Sequence, residues 1–273
     1  MIDFPNIKIN IGLDIIQRRA DGYHDIASCF YPVAWSDVLE IVPLELQEET
    51  RFEQSGLAIP PDGQQNLCLR AYQLVKQHFF LPPVAFHLHK KIPVGAGLGG
   101  GSADAAFALK MLNTMLELEL SAADLIDFAR KLGSDCAFFI PNSPQYCTQK
   151  GDVFEPIALP QLQGKHILLV YPNLHISTAQ AYAGVQPQAP TINLQEALKA
   201  PLAAWKDIVK NDFEPGLFER YPLLSQLKTQ LYDVGAVYAS MSGSGSTIYG
   251  IFEGQPPSLD FPENYHTWQG LLG

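Results

Sequence analysis

The run Pro93 to Ala106, PVGAGLGGGSADAA, holds five glycines between Gly95 and Gly101 and then opens an apolar, helix-forming stretch at Ser102. Glycine has no Cβ, so the backbone there can turn through positive φ and lie against a ligand. A glycine loop that feeds a helix start converges several backbone N–H groups, and the positive end of the helix dipole, on one point. The chemistry this predicts is anion binding, and phosphate is the anion most often held this way. The competing reading is a flexible linker. Linkers of Gly and Ser lack apolar punctuation and do not run straight into a strong helix.

Two known phosphate-loop patterns nearly fit. Gly95, Gly97 and Gly100 satisfy G-x-G-x-x-G, but that fingerprint follows a buried parallel strand and needs an acid at a second strand end about 20 residues on. Here the preceding segment, VAFHLHKKIP, alternates apolar and polar and ends in proline, and no buried strand leads to Glu117 or Glu119. Gly95 to Ser102 also matches G-x-x-x-x-G-K-S/T, except that Gly101 stands where the lysine belongs. A phosphate loop without that lysine must draw its cation from elsewhere.

Other residues could carry chemistry. Asp135, in KLGSDCAFFIP, follows a helix stop and precedes an apolar run that must be buried. A lone aspartate there is ordinarily a turn residue. At the mouth of a buried run, however, partial desolvation raises a carboxylate pKa and makes a useful base. Lys8 and Asn10 share one face of an alternating strand, where the plain expectation is solvent exposure. The lysine missing at Gly101 gives Lys8 a possible task. Tyr23 and His24 follow Arg18 and Arg19 in a turn loop. They are either a surface turn with a snorkelled tyrosine or an aromatic face and imidazole edge for a base. SGSGS, Ser242 to Ser246, is either a hairpin turn or a second backbone nest near phosphates. No H-E-x-x-H, cysteine cluster or acid-rich loop indicates a tightly held metal.

These groups need elements to hold them. Ile7, Ile9, Ile11 and Leu13 alternate with Lys8, Asn10 and Gly12, which predicts a strand with the isoleucines inward. Asp21-Gly22 predicts a turn, and Val38–Val42 and Val84–Ile92 predict strands. Asn66 caps a helix through NLCLRAYQLVKQHF, and a second helix runs from Ser102 to about Leu116. Ser121 opens a third, with Asp124 completing its capping box and Gly133 ending it. HILLVYP reads as a buried strand, STAQAYAGV as a short helix, NLQEALKAPLAAW as helical and Tyr221 to Val234 as an amphipathic helix. VYASMSGSGSTIYGIF reads as strand, turn, strand. The proline-bearing stretch from Gly151 predicts a boundary, with domains 1–152 and 153–273. Helices and strands mix without strict βαβ alternation, which predicts a two-domain α+β fold in two layers.

At 273 residues, 47% hydrophobic and 17% charged, the chain can bury a sizeable core. Its net charge of −10 excludes a broad nucleic-acid surface, so the phosphate ligand is expected to be a small molecule. Cys29, Cys68, Cys136 and Cys147 form no C-x-x-C pair and predict reduced thiols. MIDFPNIKIN has no basic run followed by a long apolar core, and no apolar run reaches membrane-spanning length. A cytoplasmic location without a membrane partner is expected.

The order of these motifs resembles the GHMP kinase superfamily: an N-terminal strand segment, a central P-x-G-x-G-L-G-S/G-S run and a glycine-rich motif near the C-terminus. Within it, FPNIKINIGLDIIQRRADGYHDI, PVGAGLGGGSADAA, KLGSDCAFF, HISTAQAY and SGSGSTIYGIF are similar to the branch that phosphorylates a cytidine-diphospho-linked methylerythritol. R-x-D-G-Y-H is the most discriminating, because homoserine and mevalonate kinases lack it. The resemblance implies an N-terminal domain like ribosomal protein S5 and a ferredoxin-like C-terminal domain. It implies ATP and Mg²⁺ as cofactors, and transfer of a phosphoryl group to the 2-hydroxyl of the methylerythritol. It further implies Asp135 as catalytic base with Lys8 as catalytic lysine. The phosphate loop becomes Pro93, Val94, Gly95, Ala96, Gly97, Leu98, Gly99, Gly100, Gly101, Ser102 and Ala103, with the Ser102 hydroxyl touching the metal. Asn66 falls at the adenine pocket, Lys90 near the nucleotide, and Asn10, Tyr23, His24 and Tyr182 at the substrate. The chain departs from the pattern at Ala137, where proline is common. Another small-molecule GHMP kinase, or a catalytically silent nucleotide sensor on the same fold, are the alternatives.

Overall fold

The computed structural model describes residues 1–60, 63 and 65–273. In chain order the elements are β1 (Ile2–Asp3), β2 (Asn6–Arg18), β3 (His24–Ser36), β4 (Val38–Pro43), β5 (Arg51–Gly56), α1 (Leu67–Lys76), β6 (Val84–Lys90), α2 (Gly100–Met115) and α3 (Ala122–Leu132). Next come β7 (Gln145–Thr148), β8 (Val153–Pro156), β9 (His166–Tyr171), α4 (Thr178–Tyr182), α5 (Leu194–Ala197) and α6 (Trp205–Ile208). The chain ends with α7 (Glu214–Arg220), α8 (Pro222–Asp233), β10 (Tyr238–Met241), β11 (Ile248–Phe252) and β12 (His266–Leu271). The α+β class expected from sequence is what the chain adopts.

The chain forms two compact units, one of Met1–Ile7, Trp35–Val94 and Gly99–Ser143, the other of Lys8–Ala34, Gly95–Leu98 and Pro144–Gly273. This division is not a single cut at 152/153. Strands β2 and β3 belong to one sheet with β7 and β8, so an early segment is grouped with late ones.

The first unit carries a four-stranded sheet in the order β1-β4-β6-β5. β4 runs antiparallel to β6, and β5 runs parallel to it. α1, α2 and α3 pack on one another, and α2 also lies against β4. α2 is buried almost all round, and its alanines (Ala103, Ala105, Ala106, Ala108) keep its girth small enough for close neighbours. Asn66 caps α1 through a Cys68 N–H bond to its side-chain oxygen at 2.8 Å. Ser121 and Asp124 form the expected capping box, and α3 stops at Gly133. α2 starts at Gly100 rather than Ser102, inside the glycine run.

The second unit has two four-stranded sheets, β2-β3-β7-β8 and β10-β11-β9-β12. Within the latter every pairing is antiparallel. α8 packs against β10 and β11, burying Leu224, Leu227 and Leu231 with Val170, Ala239 and Ile248. The helix expected across 193–205 is broken. α5 ends at Ala197, and after a 3₁₀ turn at Leu202–Ala204 the chain resumes as α6. Pro201 causes the break, since it disfavours helix at Ala200 and supplies no N–H. The indole N–H of Trp205 instead donates to the Ala200 carbonyl at 3.1 Å.

Candidate active site

In the first unit, the start of α2 runs from buried Gly100 through exposed Gly101 to half-buried Ser102. Its N-cap is Gly99, at φ 70°, and no side chain caps it. A helix leaves its first N–H groups without internal partners, so those of Gly100, Gly101 and Ser102 remain for an anion. The first helical bond runs from Ala103 N to the Gly99 carbonyl at 2.9 Å. Gly99 needs its left-handed φ to make this turn. Gly100 has a different reason: a Cβ there would fall 2.9 Å from Ile92 Cγ2. Gly101 has room, with Leu67 Cδ1 at 3.9 Å the nearest atom to an added Cβ.

Asp135 is half-buried and begins the 3₁₀ turn Cys136–Phe139, whose four residues are buried. Ser134 Oγ lies 3.3 Å from its Oδ1. The 3₁₀ turn packs against α2, and burial pushes the Cys136 thiol up to about 11, with Ser102 acting the other way. The turn that Asp135 begins therefore lies against α2.

Behind the helix start lies a buried charge cluster. Lys90, at the end of β6, is ion-paired with Asp37, and with Asp104 at 2.8 Å. Asp37 Oδ1 also accepts the N–H groups of Lys91 at 2.6 Å and Ile92 at 2.9 Å. Burial acts to lower the Lys90 pKa, but the two carboxylates outweigh it and hold the ammonium above its ordinary value. Burial pushes Asp104 up to about 7, Lys90 opposes this, and Asp37 adds to it. Lys90 and Asn66, both expected near the nucleotide, line one cavity of about 310 Å³ with Gly101, Val94 and Asp104.

In the second unit, the exposed face expected for Lys8 and Asn10 is buried, at 4% and 2%. Lys8 Nζ donates to Asn10 Oδ1 at 2.6 Å and sits 4.3 Å from the Phe30 ring centroid. Asn10 Nδ2 donates to Ser28 Oγ at 2.8 Å, and Ser28 Oγ to the Gly12 carbonyl at 2.6 Å. Both faces of β2 are covered here, so alternation marked the strand but not its surroundings.

Gly95–Leu98 is tied to the second glycine-rich turn. Ser242 Oγ donates to the Gly97 carbonyl at 2.8 Å and accepts from Asn10 N at 3.2 Å. Thr247 Oγ1 donates to the Ala96 carbonyl at 2.7 Å. Gly97, at φ 79°, is packed so that a Cβ would collide with the Ser242 carbonyl oxygen. The His175 ring occupies the Cβ space of Gly95, its Nδ1 2.6 Å from where that atom would be.

The Asp21-Gly22 turn forms as expected, with Gly22 at φ 86° and Arg19 paired to Asp21 at 3.1 Å and Asp25 at 2.7 Å. His24 and Tyr182 come together, their rings stacked at 4.5 Å and 16°. That contact leaves no space for a base between them. Phe213 meets Tyr182 edge-on at 4.9 Å. Tyr23 points elsewhere, 61% exposed with Lys150 Nζ 5.3 Å from its ring centroid.

Among the described residues no group of three or more His, Cys, Asp or Glu side chains could hold a metal ion. What the helix start offers a hard cation is the Ser102 hydroxyl, which suits an octahedral ion that keeps water and phosphate oxygens as its other ligands.

Sequence reasoning missed Asp37, Asp104, Ser28 and His175. A signal existed for Asp104, an acid inside the otherwise apolar ADAAFAL run. Asp37 and Ser28 had none, because their partners are distant in sequence.

The model of the GHMP kinases N terminal domain matches residues 66–142, and that of the GHMP kinases C terminal matches 194–259. A 4-diphosphocytidyl-2-C-methyl-D-erythritol kinase of Cytophaga hutchinsonii is 50% identical over 272 residues, covering 100% of this chain and 99% of that relative. One from Bacteroides thetaiotaomicron is 46% identical, covering 100% of both chains. The crystal structure of a 4-(cytidine 5'-diphospho)-2C-methyl-D-erythritol kinase superposes with a TM-score of 0.79 at 31% identity, over 93% of this chain and 91% of that one. A homoserine kinase from Cytophaga hutchinsonii superposes with a TM-score of 0.65 at 16% identity, over 98% and 95%, a likeness of fold.

Proposed function

The chain belongs to the GHMP kinase family, and on that premise we propose that it moves the γ-phosphoryl group of ATP onto the 2-hydroxyl of 4-diphosphocytidyl-2-C-methyl-D-erythritol. It is an ATP-dependent small-molecule kinase. The observation that carries the substrate is the full-length likeness, near half identity, to kinases named for it. The stacked His24–Tyr182 pair supports the same reading. A cytosine would lie on the outward face of His24, not between the rings.

Phosphoryl transfer asks the protein for positioning and charge neutralisation more than for covalent chemistry. The uncapped N–H groups of Gly100, Gly101 and Ser102 hold phosphate oxygens, with the glycine run allowing close approach. Asp135 takes the proton of the acceptor hydroxyl. Lys8, held in place by Asn10, steadies the negative charge of the transferring group, the task of the lysine absent at Gly101. Asn66 and Lys90 line the cavity for the nucleotide base, with Lys90 acting as a clamped wall rather than a mobile arm. The Ser102 hydroxyl would hold a magnesium ion brought with ATP, and that ion would supply charge neutralisation at the phosphate oxygens. Binding of the cytidine, remote from the reacting centre, supplies orientation. Four buried free thiols support a reducing, cytoplasmic setting, and no helix among the described residues is long and apolar enough to cross a membrane.

The test is kcat/KM, by coupled ADP release, for the cytidylated substrate, the uncytidylated methylerythritol phosphate, homoserine and mevalonate. We expect the cytidylated substrate to exceed the uncytidylated one by roughly 10⁴-fold, the penalty when a site's polar groups lose their partners. Equal values would reduce the reading to an unspecified GHMP kinase.

A further inference from the structure

Lys8 and Asn10 alternate onto one face of β2, and Ser28 and Phe30 onto one face of β3, the next strand of the same sheet. The two pairs meet. The Phe30 ring centroid lies 4.3 Å from Lys8 Nζ, and Ser28 Oγ lies 2.8 Å from Asn10 Nδ2. Lys8, Asn10 and Ser28 are all buried.

The hydrogen bonds among them run in one direction. Ser28 Oγ is 2.6 Å from the Gly12 carbonyl, which only accepts, so the hydroxyl proton points there. Toward Asn10 the hydroxyl has lone pairs left, so the amide turns its NH₂ to Ser28. That leaves Asn10 Oδ1 for Lys8 Nζ, at 2.6 Å. An ammonium is a donor only, so the reversed amide would set NH₂ against NH₃⁺. The amide has little other freedom. Asn10 N donates to Ser242 Oγ at 3.2 Å, and the Asn10 carbonyl accepts from the Tyr249 hydroxyl at 2.9 Å. Gly243 packs so closely that a Cβ there would stand 3.1 Å from Asn10 Oδ1. Rotation of the amide about its own axis is the motion left, and Ser28 decides its outcome.

We propose that Ser28 is a positioning residue for phosphoryl transfer: through the Asn10 amide it gives Lys8 an oxygen partner and holds the ammonium in one place. The inference rests on, and deepens, the reading that Lys8 steadies the transferring phosphoryl group. In Ser28→Ala the amide loses the acceptor that orients it. Its NH₂ is then buried without a partner on that side, and nothing on β3 selects which end of the amide meets Lys8.

The test uses the full chain labelled with heavy nitrogen in its lysines. A buried, hydrogen-bonded ammonium is shielded from exchange with water and gives a resolved NMR signal, and Lys8 and Lys90 are both buried. The Lys8 signal is assigned by its loss in Lys8→Met. In Ser28→Ala it should broaden away, while that of Lys90, clamped by Asp37 and Asp104, persists. In the same variant kcat should fall roughly ten- to a hundredfold, the worth of one hydrogen bond to a charged group, with ATP affinity by calorimetry unchanged. A merely structural role for Ser28 would weaken both lysine signals and ATP binding together, and that result overturns the inference. A Lys8 signal that survives the substitution, or one absent from the wild-type chain, overturns it too. Loss of the Lys8 signal with kcat unchanged leaves the hold of Ser28 on Lys8 standing and strikes the task assigned to Lys8 beneath it. If Ser28→Ala does not fold, Ser28→Cys, which offers only a weak acceptor, decides by the same readings.

Discussion

The two glycine-rich turns of this chain have similar compositions and opposite fates. Gly95 to Gly101 leads into α2, whose first N–H groups meet no capping side chain. Ser242 to Ser246 joins β10 to β11 and turns the hydroxyls of Ser242 and Ser246 inward. Ser242 Oγ bonds the Gly97 carbonyl at 2.8 Å, and Ser246 Oγ the Leu174 carbonyl at 2.5 Å. The element that each turn enters decides its role. A strand joins a ladder and uses its N–H groups there. A helix start cannot, since its first donors have no partner one turn back. The first turn is thus open to a ligand at its helix end, and the second braces Gly95–Leu98. The Ser242 hydroxyl of SGSGS supports the Gly97 carbonyl of the loop, beside the Thr247 N–H that donates to the Ala96 carbonyl at 3.3 Å.

If one turn binds, the other braces and neither does the chemistry, variants should separate the three. Asp135→Asn removes the base and should lower kcat by ~10²–10⁴-fold, leaving ATP affinity unchanged. A fall below tenfold in the folded variant removes Asp135 from that role. Gly97→Val adds a branched side chain at φ 79° against the Ser242 carbonyl. It should cost more than ~4 kcal/mol in urea unfolding, within the exceptional range for one substitution. A near-wild-type midpoint would mean that the brace is absent. Ser242→Ala strands the Gly97 carbonyl and the Asn10 N–H and should cost about 1–3 kcal/mol. Gly101→Ala should stabilise by up to ~1 kcal/mol as a helix position filled, yet weaken ATP binding severalfold where its methyl meets the phosphates. Unchanged ATP affinity would free Gly101 from the phosphate site. Gly100→Val is the poorer probe, because its Cβ meets Ile92 and the fold responds along with the loop.

The smallest effect lies away from both turns. Burial, with Asp212 adding to it, pushes Asp14 from 3.8 up to about 6. Between those values the folded chain keeps a proton that the unfolded chain releases. Stability therefore falls as the pH rises through that window and stays reduced above it. Asp14→Asn should flatten this slope and raise Tm modestly at about pH 8. A Tm profile that keeps the wild-type slope would assign it to another group.

Much of this was legible because it is local. The caps at Asn66 and Ser121, the stop at Gly133 and the turn at Asp21-Gly22 are set within a few residues, and each forms. β2 was legible from alternation, but not the burial of Lys8 and Asn10, which depends on Ser28, 18 residues from Asn10, and on Ser242, 232 away. Asp37 meets Lys90 across 53 positions, and no local pattern announces it. Pro201 was in plain view, and the helical expectation for 193–205 gave too much weight to leucine and alanine around it. β12 alternates exposed and half-buried residues at an edge beside β9, a pattern too weak to stand out from a polar tail.

The interleaving of the two units bears on synthesis. From first residue to last, the chain passes between them five times. β3 leaves the ribosome early, yet its partner β7 begins at Gln145, roughly 110 residues after the last residue of the Lys8–Ala34 segment. At ~5–20 residues per second this is a wait of about 5–20 seconds. For that time the apolar ribbon of β2 and β3 is unpaired along one edge while the intervening segment is made. Neither unit can be released by one cut or cloned as one stretch, so permuted and split forms of this chain should need both fragments present together to acquire native structure.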